Sequence, residues 1–565
     1  MTKYKRALAT WQSSLPDTMP NKTVHNTGSQ LDSQARSARL CRDGLFQPRN
    51  AIHLTRIKLE TWSLFIAPNL SVADDWVVED RCCTITTLAE MDLEKSMVCL
   101  RTKSRVLSGL LLASLATIIL MLLFIFTVSF GAAHSLTLKD PWSKWGGISP
   151  DPVVLQSRLL GGVPGYQIIE NVWVNNGSIY LFAPDRYELP SKSRTVSGDT
   201  GWEVFTHPSK EMMEFARGAR VLEGTTLFVN DGAKSDEWHY LSSYYHMIGE
   251  VYLGSIAAIA SIPYKSSILT ETTRFGVKVP SIPDRMVIPW EAATDWRDEE
   301  GLGELVLKGI FGENLLEPMH WKELSADGGR NNGWVFLQRA VIIDRWASHR
   351  HNALSDSLNK MAATVLSLPR PPFFFIPSRI SLLSHLHIPI PPTRPGPVKI
   401  WNKVPKIVYV DRQGTNRRMT EDSHAGVAVV LGELEASGIA IVEHKKMERL
   451  DRAQQIEAVS TADILIGVHG EMLTHQLWMP DGGVVIELFP SGSYLPEHQI
   501  VADALHHEYV PVWHDVALSR EEWESLPRQH GHHALYDGTE VTVDKVYFRL
   551  LLEEIISRMT EPSIH

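Results

Sequence analysis

The stretch Asp463-Ile-Leu-Ile-Gly-Val-His-Gly-Glu-Met-Leu-Thr-His-Gln-Leu-Trp-Met-Pro480, followed by Val484-Val-Ile-Glu-Leu488, decides the fold prediction. After Asp463, the next five residues form an apolar run typical of a buried strand, and Met472–Met479 has the length of a short helix. Val484–Leu488 is equally apolar and predicts the next strand. A strand, a helix and a strand in this order indicate a βαβ unit of a parallel sheet covered on both faces.

The same alternation extends upstream and defines two predicted lobes. In residues 398–565, the C-terminal lobe, we expect strands at Lys406–Val410 and Ile439–Val442 and helices at Ala425–Ser437 and Arg449–Thr461. In residues 151–367, the N-terminal lobe, we expect strands at Ile179–Phe182 and Thr226–Val229 and helical spacing over Tyr240–Ala260. Residues 368–397 contain nine of the 32 prolines and are predicted to form an extended linker between the lobes.

The segment Val106–Ala133 contains no charged residue and is apolar in its centre. About 20 apolar residues cross the hydrocarbon core of a bilayer, so this length predicts a single transmembrane helix. Three basic residues, Arg101, Lys103 and Arg105, stand directly before it, and the next basic residue after it is Lys139. Because an excess of Lys and Arg marks the cytosolic side, we expect a type II membrane protein with its later part in the lumen.

Length, charge and cysteine content bound the rest of the organisation. The chain has 565 residues and a net charge of −10, and a single core rarely exceeds about 250–300 residues, so we expect several domains. Residues 1–105 have a net charge of +4 and little periodicity, which predicts a mostly disordered cytosolic tail, and residues 134–150 form a stem. The remainder carries −14, which argues against nucleic acid as a partner. All four cysteines precede the predicted membrane helix, so the luminal part contains no disulfide.

The turn His469-Gly470-Glu471 joins the end of a predicted strand to the start of a helix. Ligands of doubly wound sheets bind at such strand ends, and helix N-termini favour phosphate. Gly470 would let the backbone approach a ligand, His469 could donate to a diphosphate oxygen, and Glu471 would suit sugar or ribose hydroxyls. The alternative is an ordinary strand–helix turn with a capping role.

Two further groups carry candidate chemistry. Arg412, Arg417 and Arg418 follow the first strand of the C-terminal lobe, where they would clamp a diphosphate or form an ordinary solvated charge run. His246 and Glu250 lie at i and i+4 on one helix face, as a general base with its orienting carboxylate or as a structural pair. No second His or Cys pair completes a metal site there, and residues 134–565 contain no Asp-x-Asp or Walker motif.

These segments together resemble glycosyltransferase family 61. The resemblance rests on Asp463–Pro480 with Val484–Pro490, and on four weaker segments in the same order: Tyr244–Glu250, Arg339–Arg350, Tyr409–Arg418 and Tyr509–Asp515. It covers roughly residues 150–560. The resemblance implies an α/β GT-B fold, with two facing Rossmann-like lobes, the acceptor on the N-terminal lobe and the nucleotide sugar on the C-terminal lobe.

The resemblance also implies a function and a site. We expect an inverting transferase of the Golgi or endoplasmic reticulum that moves xylose or N-acetylglucosamine from a UDP-sugar to a glycan or glycoprotein, without a metal cofactor. His246 and Glu250 are the candidate catalytic residues, and one luminal sequon, Asn176-Gly-Ser178, is a candidate N-glycosylation site. The candidate donor-binding residues are Arg412, Arg417, Arg418, His469, Gly470, Glu471, Thr474 and Glu487. Met472 stands where many members of the family have a small residue, and the alternative is an inactive, lectin-like or scaffold protein of the same fold.

Overall fold

A computed structural model describes residues 156–207, 210, 219–231, 241–262, 270–272, 278–289, 296–326, 333–391, 404–526 and 532–560. All of them belong to a single compact unit of the chain, Leu112–His565. The predicted tail (1–105), membrane helix (106–133) and stem (134–150) lie outside the described residues.

The N-terminal lobe is built on a mixed, eight-stranded sheet with the order β4-β3-β2-β10-β5-β8-β9, and β1 pairs with β2. Its strands are β1 (Arg158–Val163), β2 (Tyr166–Asn175), β3 (Ser178–Phe182), β4 (Gly201–Phe205), β5 (Arg220–Val229), β8 (Arg285–Val287), β9 (Leu315–Leu316) and β10 (Val335–Ile343). Strands β6 (Thr270–Thr272) and β7 (Lys278–Pro280) form a separate hairpin.

This first sheet corrects the prediction of two Rossmann-like lobes. The pairs β3–β4, β10–β5, β5–β8 and β8–β9 are parallel, but β2 pairs antiparallel with β1, β3 and β10. The sheet is therefore mixed, whereas a Rossmann-like sheet is mostly parallel. The physical reason is the two-residue turn Asn176-Gly177, where both φ angles are positive, at 43° and 72°. Such turns join antiparallel strands, so β2 and β3 form a hairpin instead of a crossover unit.

The C-terminal lobe has the predicted parallel sheet, with the order β12-β11-β13-β14-β15-β16. Its strands are β11 (Lys406–Val410), β12 (Ile441–Lys445), β13 (Ile464–Val468), β14 (Val484–Phe489), β15 (Glu508–Trp513) and β16 (Val516–Ala517). All neighbours from β12 to β15 are parallel, and only the short β16 is antiparallel. Strands β13 and β14 are buried at every position, as expected for a sheet that is covered on both faces.

Helices cover both sheets. The α-helices of the N-terminal lobe are α1 (Lys192–Thr195), α2 (Leu253–Ser261), α3 (Leu302–Phe311), α4 (Pro318–Leu324), α5 (Arg345–His351), α6 (Ala353–Leu358) and α7 (Ala363–Leu366). Those that follow are α8 (Ile376–His385), α9 (Glu421–Ala436), α10 (Arg452–Ser460), α11 (Glu497–Leu505), α12 (Arg520–Ser525), α13 (His532–Tyr536) and α14 (Lys545–Thr560). Tyr245–Tyr252 is π-helical, and the 3-10 helices are Arg186–Glu188, Gly312–Asn314, Met447–Arg449 and Glu471–Trp478.

The proline-rich segment is not an extended linker where the structure describes it. Residues 376–385 form helix α8, with a proline in its first turn, where the missing N–H is tolerated. Leu382 and Leu383 are buried in the main core, and Arg379 donates from Nη1 to the carbonyl oxygen of Met479 at 2.5 Å. The segment therefore packs on both lobes.

The membrane part of the predicted fold class is also corrected. Among the described residues no helix is long and apolar enough to cross a membrane, and 106–133 is not among them. The two longest described α-helices, α9 and α14, have 16 residues each. At 1.5 Å per residue they reach about 24 Å, against about 30 Å for a bilayer core. The structure supports the α/β fold and gives no support to a transmembrane helix.

Candidate active site

A buried ion cluster lies where two parallel strands of the N-terminal lobe end. Strands β5 and β10 are paired through Val229 and Ile343, so Asp231 and Arg345 emerge at the same edge. Arg345 donates from Nε to Asp231 Oδ2 at 2.5 Å and from Nη1 to Glu250 Oε2 at 2.7 Å. All three side chains are buried, so the guanidinium compensates part of the charge of each carboxylate.

Glu250 also binds His246, as the i,i+4 spacing predicts. His246 Nδ1 and Glu250 Oε2 lie 2.7 Å apart, and the histidine is 22% exposed whereas the carboxylate is buried. Burial raises the pKa of Glu250, but His246 and Arg345 outweigh it and hold that pKa at about 2. Glu250 is therefore an anion that orients the His246 ring through Nδ1.

The C-terminal lobe has its topological switch point between β11 and β13. The chain leaves β11 toward β12 on one side and returns to β13 on the other, which opens a crevice at the carboxyl ends of these two strands. Arg412 follows β11 and His469 follows β13. Arg412 Nη1 donates to the His469 carbonyl oxygen at 2.8 Å, directly across this crevice.

Gly470 lies directly against Arg412 and begins a helical segment. Its φ of 151° is rare for residues with a side chain, and an added Cβ would lie 1.5 Å from Arg412 Nη1. It caps the 3-10 helix Glu471–Trp478, whose first N–H groups face the crevice end of the sheet. Glu471 accepts a hydrogen bond from Ser243 of the N-terminal lobe, so the turn contacts both lobes.

His469 is held from behind by a buried carboxyl. Its Nδ1 lies 2.5 Å from Glu487 Oε1, its ring stacks on Phe489, and Glu487 accepts a further hydrogen bond from the Tyr509 hydroxyl. Burial lowers the pKa of His469 to about 3 and raises the pKa of Glu487 to about 7. Burial therefore favours the neutral form of both side chains.

Two residues that the sequence analysis missed link the lobes at this site. Lys360, after α6, forms an ion pair of 2.8 Å with Glu497 at the start of α11, and Glu497 Oε1 lies 3.5 Å from His469 Nε2. Burial raises the pKa of Glu497, but Lys360 and the neighbouring histidines keep it below its ordinary value. Neither residue lies in a motif, so only the packing of α7, which follows Lys360, against α11 could reveal them.

The other predicted residues are placed as follows. Arg417 donates from Nε to the Leu535 carbonyl oxygen, its charge helps to lower the pKa of His469, and its role in donor binding stays a prediction. Arg418 is 53% exposed and paired with Glu540, as in a solvated charge run.

Thr474 is buried in the 3-10 helix, where its hydroxyl has no hydrogen-bond partner among the described residues. Asn176 is exposed at the β2–β3 turn, and its glycosylation stays a prediction.

Three buried side chains of this site also have the spacing of metal ligands. One ligand atom each of His469, Glu487 and His498 lie within 4.8 Å of one another. The hydrogen bond between His469 and Glu487 already occupies one atom of each, and His498 Nε2 lies at 4.0 Å from Glu497. The hydrogen-bonded pair of this group is therefore His469 and Glu487, and the His498 ring packs against the His469 ring with centroids 5.9 Å apart.

Comparison with known proteins agrees with this geometry. The family model described as Glycosyltransferase 61 matches residues 242–486. This chain carries a glycosyltransferase 61 region. An EGF domain-specific O-linked N-acetylglucosamine transferase from Drosophila melanogaster is 32% identical to the chain over 84 residues. That alignment covers 15% of this chain and 15% of the relative, so the chain spans a small part of the curated relative's length in the match.

The glycosyltransferase 61 region holds most of the site described above. It begins just before Tyr244 and includes His246, Arg412 and the turn at His469. It ends one residue before Glu487. The predicted family resemblance is therefore confirmed over this region, and both comparisons name glycosyltransferases, the enzyme class that the sequence predicts.

The buried Glu487 leads to a prediction about the pH dependence of the protein's stability. Because burial raises the folded-state pKa of Glu487 from 4.5 to about 7, the folded chain holds this proton more tightly than the unfolded chain does. Its stabilising contribution is complete below about pH 4.5 and is lost as the pH rises through 7. We expect Glu487→Gln to gain stability relative to the wild type between pH 4.5 and 7, as measured by urea unfolding at several pH values.

Glu508→Gln is the control, because Glu508 is exposed and paired with Arg558 at the surface. Its stability difference from the wild type should not follow the same pH window. A difference between Glu487→Gln and the wild type that stays constant from pH 4.5 to 7.5 would contradict the protonated state of Glu487.

Proposed function

We propose that this protein is a UDP-sugar-dependent, inverting glycosyltransferase that acts on a glycan or glycoprotein. The observation that carries the proposal is the hydrogen bond from Arg412 to the His469 carbonyl across the switch point, next to Gly470. Crevices at this position of doubly wound sheets bind nucleotides. The proposed donors are UDP-N-acetylglucosamine, the sugar named in the relative from Drosophila melanogaster, and UDP-xylose.

The charge distribution supports a diphosphate at the turn. Three cations, Arg412, Arg417 and Lys360, lie near enough to His469 to lower its pKa. Arginine and lysine side chains and a helix N-terminus bind phosphate oxygens and stabilise the negative charge of a departing diphosphate. In the proposal these groups act in place of a metal ion. Glu471 and Thr474, which follow Gly470 in the same helix, would contact the donor's sugar or ribose.

The opposite lobe would supply the general base. Glu250 orients His246 through Nδ1, and in the proposal Nε2 accepts the proton of the acceptor hydroxyl. The acceptor oxygen would form its bond to the anomeric carbon from the face opposite UDP while the bond from that carbon to the diphosphate oxygen breaks. The proton ends on His246, whose cation is stabilised by Glu250, and the negative charge ends on UDP. The anomeric configuration is thereby inverted.

A donor and acceptor screen tests the proposal. The full chain would be incubated with UDP-N-acetylglucosamine, UDP-xylose or other UDP-sugars, with EGF-domain peptides or glycan acceptors, and with or without Mn²⁺. We expect acceptor-dependent release of UDP from one of the first two donors, at a similar rate in the absence of Mn²⁺. Residence in the Golgi or endoplasmic reticulum lumen is part of the proposal, and expression in eukaryotic cells would provide that setting.

Gly470→Ala separates donor binding from catalysis in this screen. The added methyl group would displace Arg412 from the His469 carbonyl, so the affinity for UDP should fall by at least tenfold. Gly432→Ala is the matched control, because an added Cβ there meets no atom within 4 Å. Failure of the wild type to bind any UDP-sugar would refute the proposal. Intact binding without turnover would replace it by the inactive, lectin-like alternative.

A further inference from the structure

We propose that Asp411, His424 and His444 form a binding site for one divalent metal ion, with Zn²⁺ as the ion of best fit. The three residues come from different elements of the C-terminal lobe. Asp411 directly follows β11, His424 lies in the first turn of α9, and His444 lies near the end of β12. The proposal concerns this cluster alone and does not depend on the proposed transferase activity.

The distances in the cluster fit a zinc coordination sphere. Asp411 Oδ2 lies 3.0 Å from His444 Nε2 and 3.7 Å from His424 Nε2, and one ligand atom of each residue lies within 4.8 Å of the others. Zinc binds imidazole nitrogen and carboxylate oxygen at about 2.0–2.2 Å, so two ligands of a tetrahedral site are about 3.4 Å apart. These two separations bracket this value, and the ligand atoms of the two histidines lie within 4.8 Å of each other.

Polar atoms without partners point to a missing ligand. Among the described residues, His424 Nε2 and the Tyr409 hydroxyl are buried and have no hydrogen-bond partner. The Tyr409 ring lies 4.8 Å from the His444 ring and 6.2 Å from the His424 ring, so this hydroxyl-bearing side chain backs the cluster. Buried polar groups are normally satisfied, and a bound ion would supply the missing partner of His424.

The carboxylate of Asp411 is already oriented for a metal. Its Oδ1 accepts a hydrogen bond from the Gln413 backbone N–H at 2.8 Å, which directs Oδ2 toward the two histidines. Such outer hydrogen bonds orient the ligands of metal sites. His444 is 40% exposed, so the fourth coordination position would be open to a water molecule.

Lys446 is the cation with which a metal would compete. Its Nζ lies 3.4 Å from Asp411 Oδ2, and its side chain is 40% exposed, so it can withdraw into solvent. Its positive charge would weaken binding of a divalent ion by electrostatic repulsion. A variant without this charge should therefore bind the metal more tightly, which a merely structural ion-pair cluster does not predict.

A bound ion would fix the position of the edge strand of the sheet. Strand β12 is the edge strand, paired only with β11 among the described strands, and Ile441 within it is 50% exposed. The metal would join β12 to the end of β11 and to α9. Because a ligand that binds only the folded state stabilises it, saturating zinc should raise the melting temperature by several degrees.

Metal titration of the chelator-treated full chain tests the site. We expect one equivalent of Zn²⁺ to bind, one equivalent of Co²⁺ to give the visible absorption bands of a tetrahedral nitrogen and oxygen site, and Mn²⁺ to bind more weakly. The measurements are calorimetric titration, metal analysis after dialysis, and the melting temperature with and without Zn²⁺. Absence of stoichiometric Zn²⁺ binding would overturn the proposal.

Variants locate the bound ion. His424→Gln and His444→Gln should each weaken Zn²⁺ binding at least tenfold and abolish the Co²⁺ bands, whereas Lys446→Met should strengthen binding. His351→Gln is the control, an exposed histidine at the end of α5. Zinc affinity that is unchanged in the double variant His424→Gln/His444→Gln would place the ion elsewhere and refute the proposal. UDP binding by the metal-free chain is measured in parallel, so that a failure of the transferase proposal can be distinguished from a failure of the metal-site proposal.

Discussion

Replacing His246 by alanine should lower the rate of sugar transfer by about 10²–10⁴-fold and leave the affinity for UDP nearly unchanged. The reason is the division of roles between the lobes: His246 and Glu250 would act on the acceptor hydroxyl, while Arg412 and the His469 turn would hold the donor. The turnover number and the UDP dissociation constant, measured on the same preparations, check both halves of this expectation.

Two matched variants make the His246 result specific. Glu250→Gln keeps the shape of the carboxyl but removes the charge that orients the histidine and stabilises its cation, so it should lower the turnover number and leave the UDP dissociation constant nearly unchanged. His351→Ala, at the exposed end of α5, should leave the transfer rate unchanged. A His246→Ala enzyme that transfers sugar at the wild-type rate would show that another group takes the proton.

Replacing Arg345 by methionine should destabilise the protein by about 3–5 kcal/mol, the usual consequence of leaving buried charges without their partner. Arg345 is 1% exposed and is the cation between Asp231 and Glu250, which are equally buried. Without it the two carboxylates would repel each other in a region of low polarity, and the pKa of Glu250 would rise. The free energy of unfolding from urea titration gives the measurement.

An exposed ion pair provides the comparison for Arg345. Arg158 pairs with Glu170 at 2.7 Å, but its side chain is 70% exposed, so Arg158→Met should change the stability by less than about 1 kcal/mol. If the two variants lost similar stability, the buried cluster would not have the structural importance inferred from its burial.

The C-terminal lobe could be predicted from sequence because its signals are local. Strand β11 has the predicted bounds, and β13 and β14 differ from prediction by one residue each. Their runs are apolar at nearly every position because both faces of the sheet are covered. The edge strand β12 begins two residues later than predicted, since an exposed strand loses the continuous apolar pattern that marks a buried one.

The N-terminal lobe was predicted less well, although one signal was present. Asn176-Gly177 is the dipeptide most typical of a tight hairpin. The same asparagine also begins a glycosylation sequon, so this short pattern has two interpretations. Proline content likewise predicted an extended chain at 368–397, because composition does not show that a proline lies in the first turn of a helix. Both errors concern the conformation at a few positions and not the class of the fold.

The residue pairs of the candidate site that could not be predicted from the sequence are contacts between distant elements. His246 and Glu250 are four positions apart on one helix face, so their pairing could be predicted. Lys360 and Glu497 are separated by 137 residues, and Asp411, His424 and His444 follow no regular spacing. Such groups form only when strand order and helix packing bring their elements together.

The hydrogen bond between Tyr244 and Trp478 affects how losses of activity in variants should be interpreted. Trp478 Nε1 donates to the Tyr244 hydroxyl at 2.8 Å, and both side chains are buried between the lobes. Tyr244 is two residues from His246, and Trp478 ends the helix that begins at Glu471. The positions of the two halves of the site are thus thermodynamically coupled, so substitutions on opposite lobes should be non-additive. A loss of activity on replacing Trp478 would not by itself place that residue against a substrate.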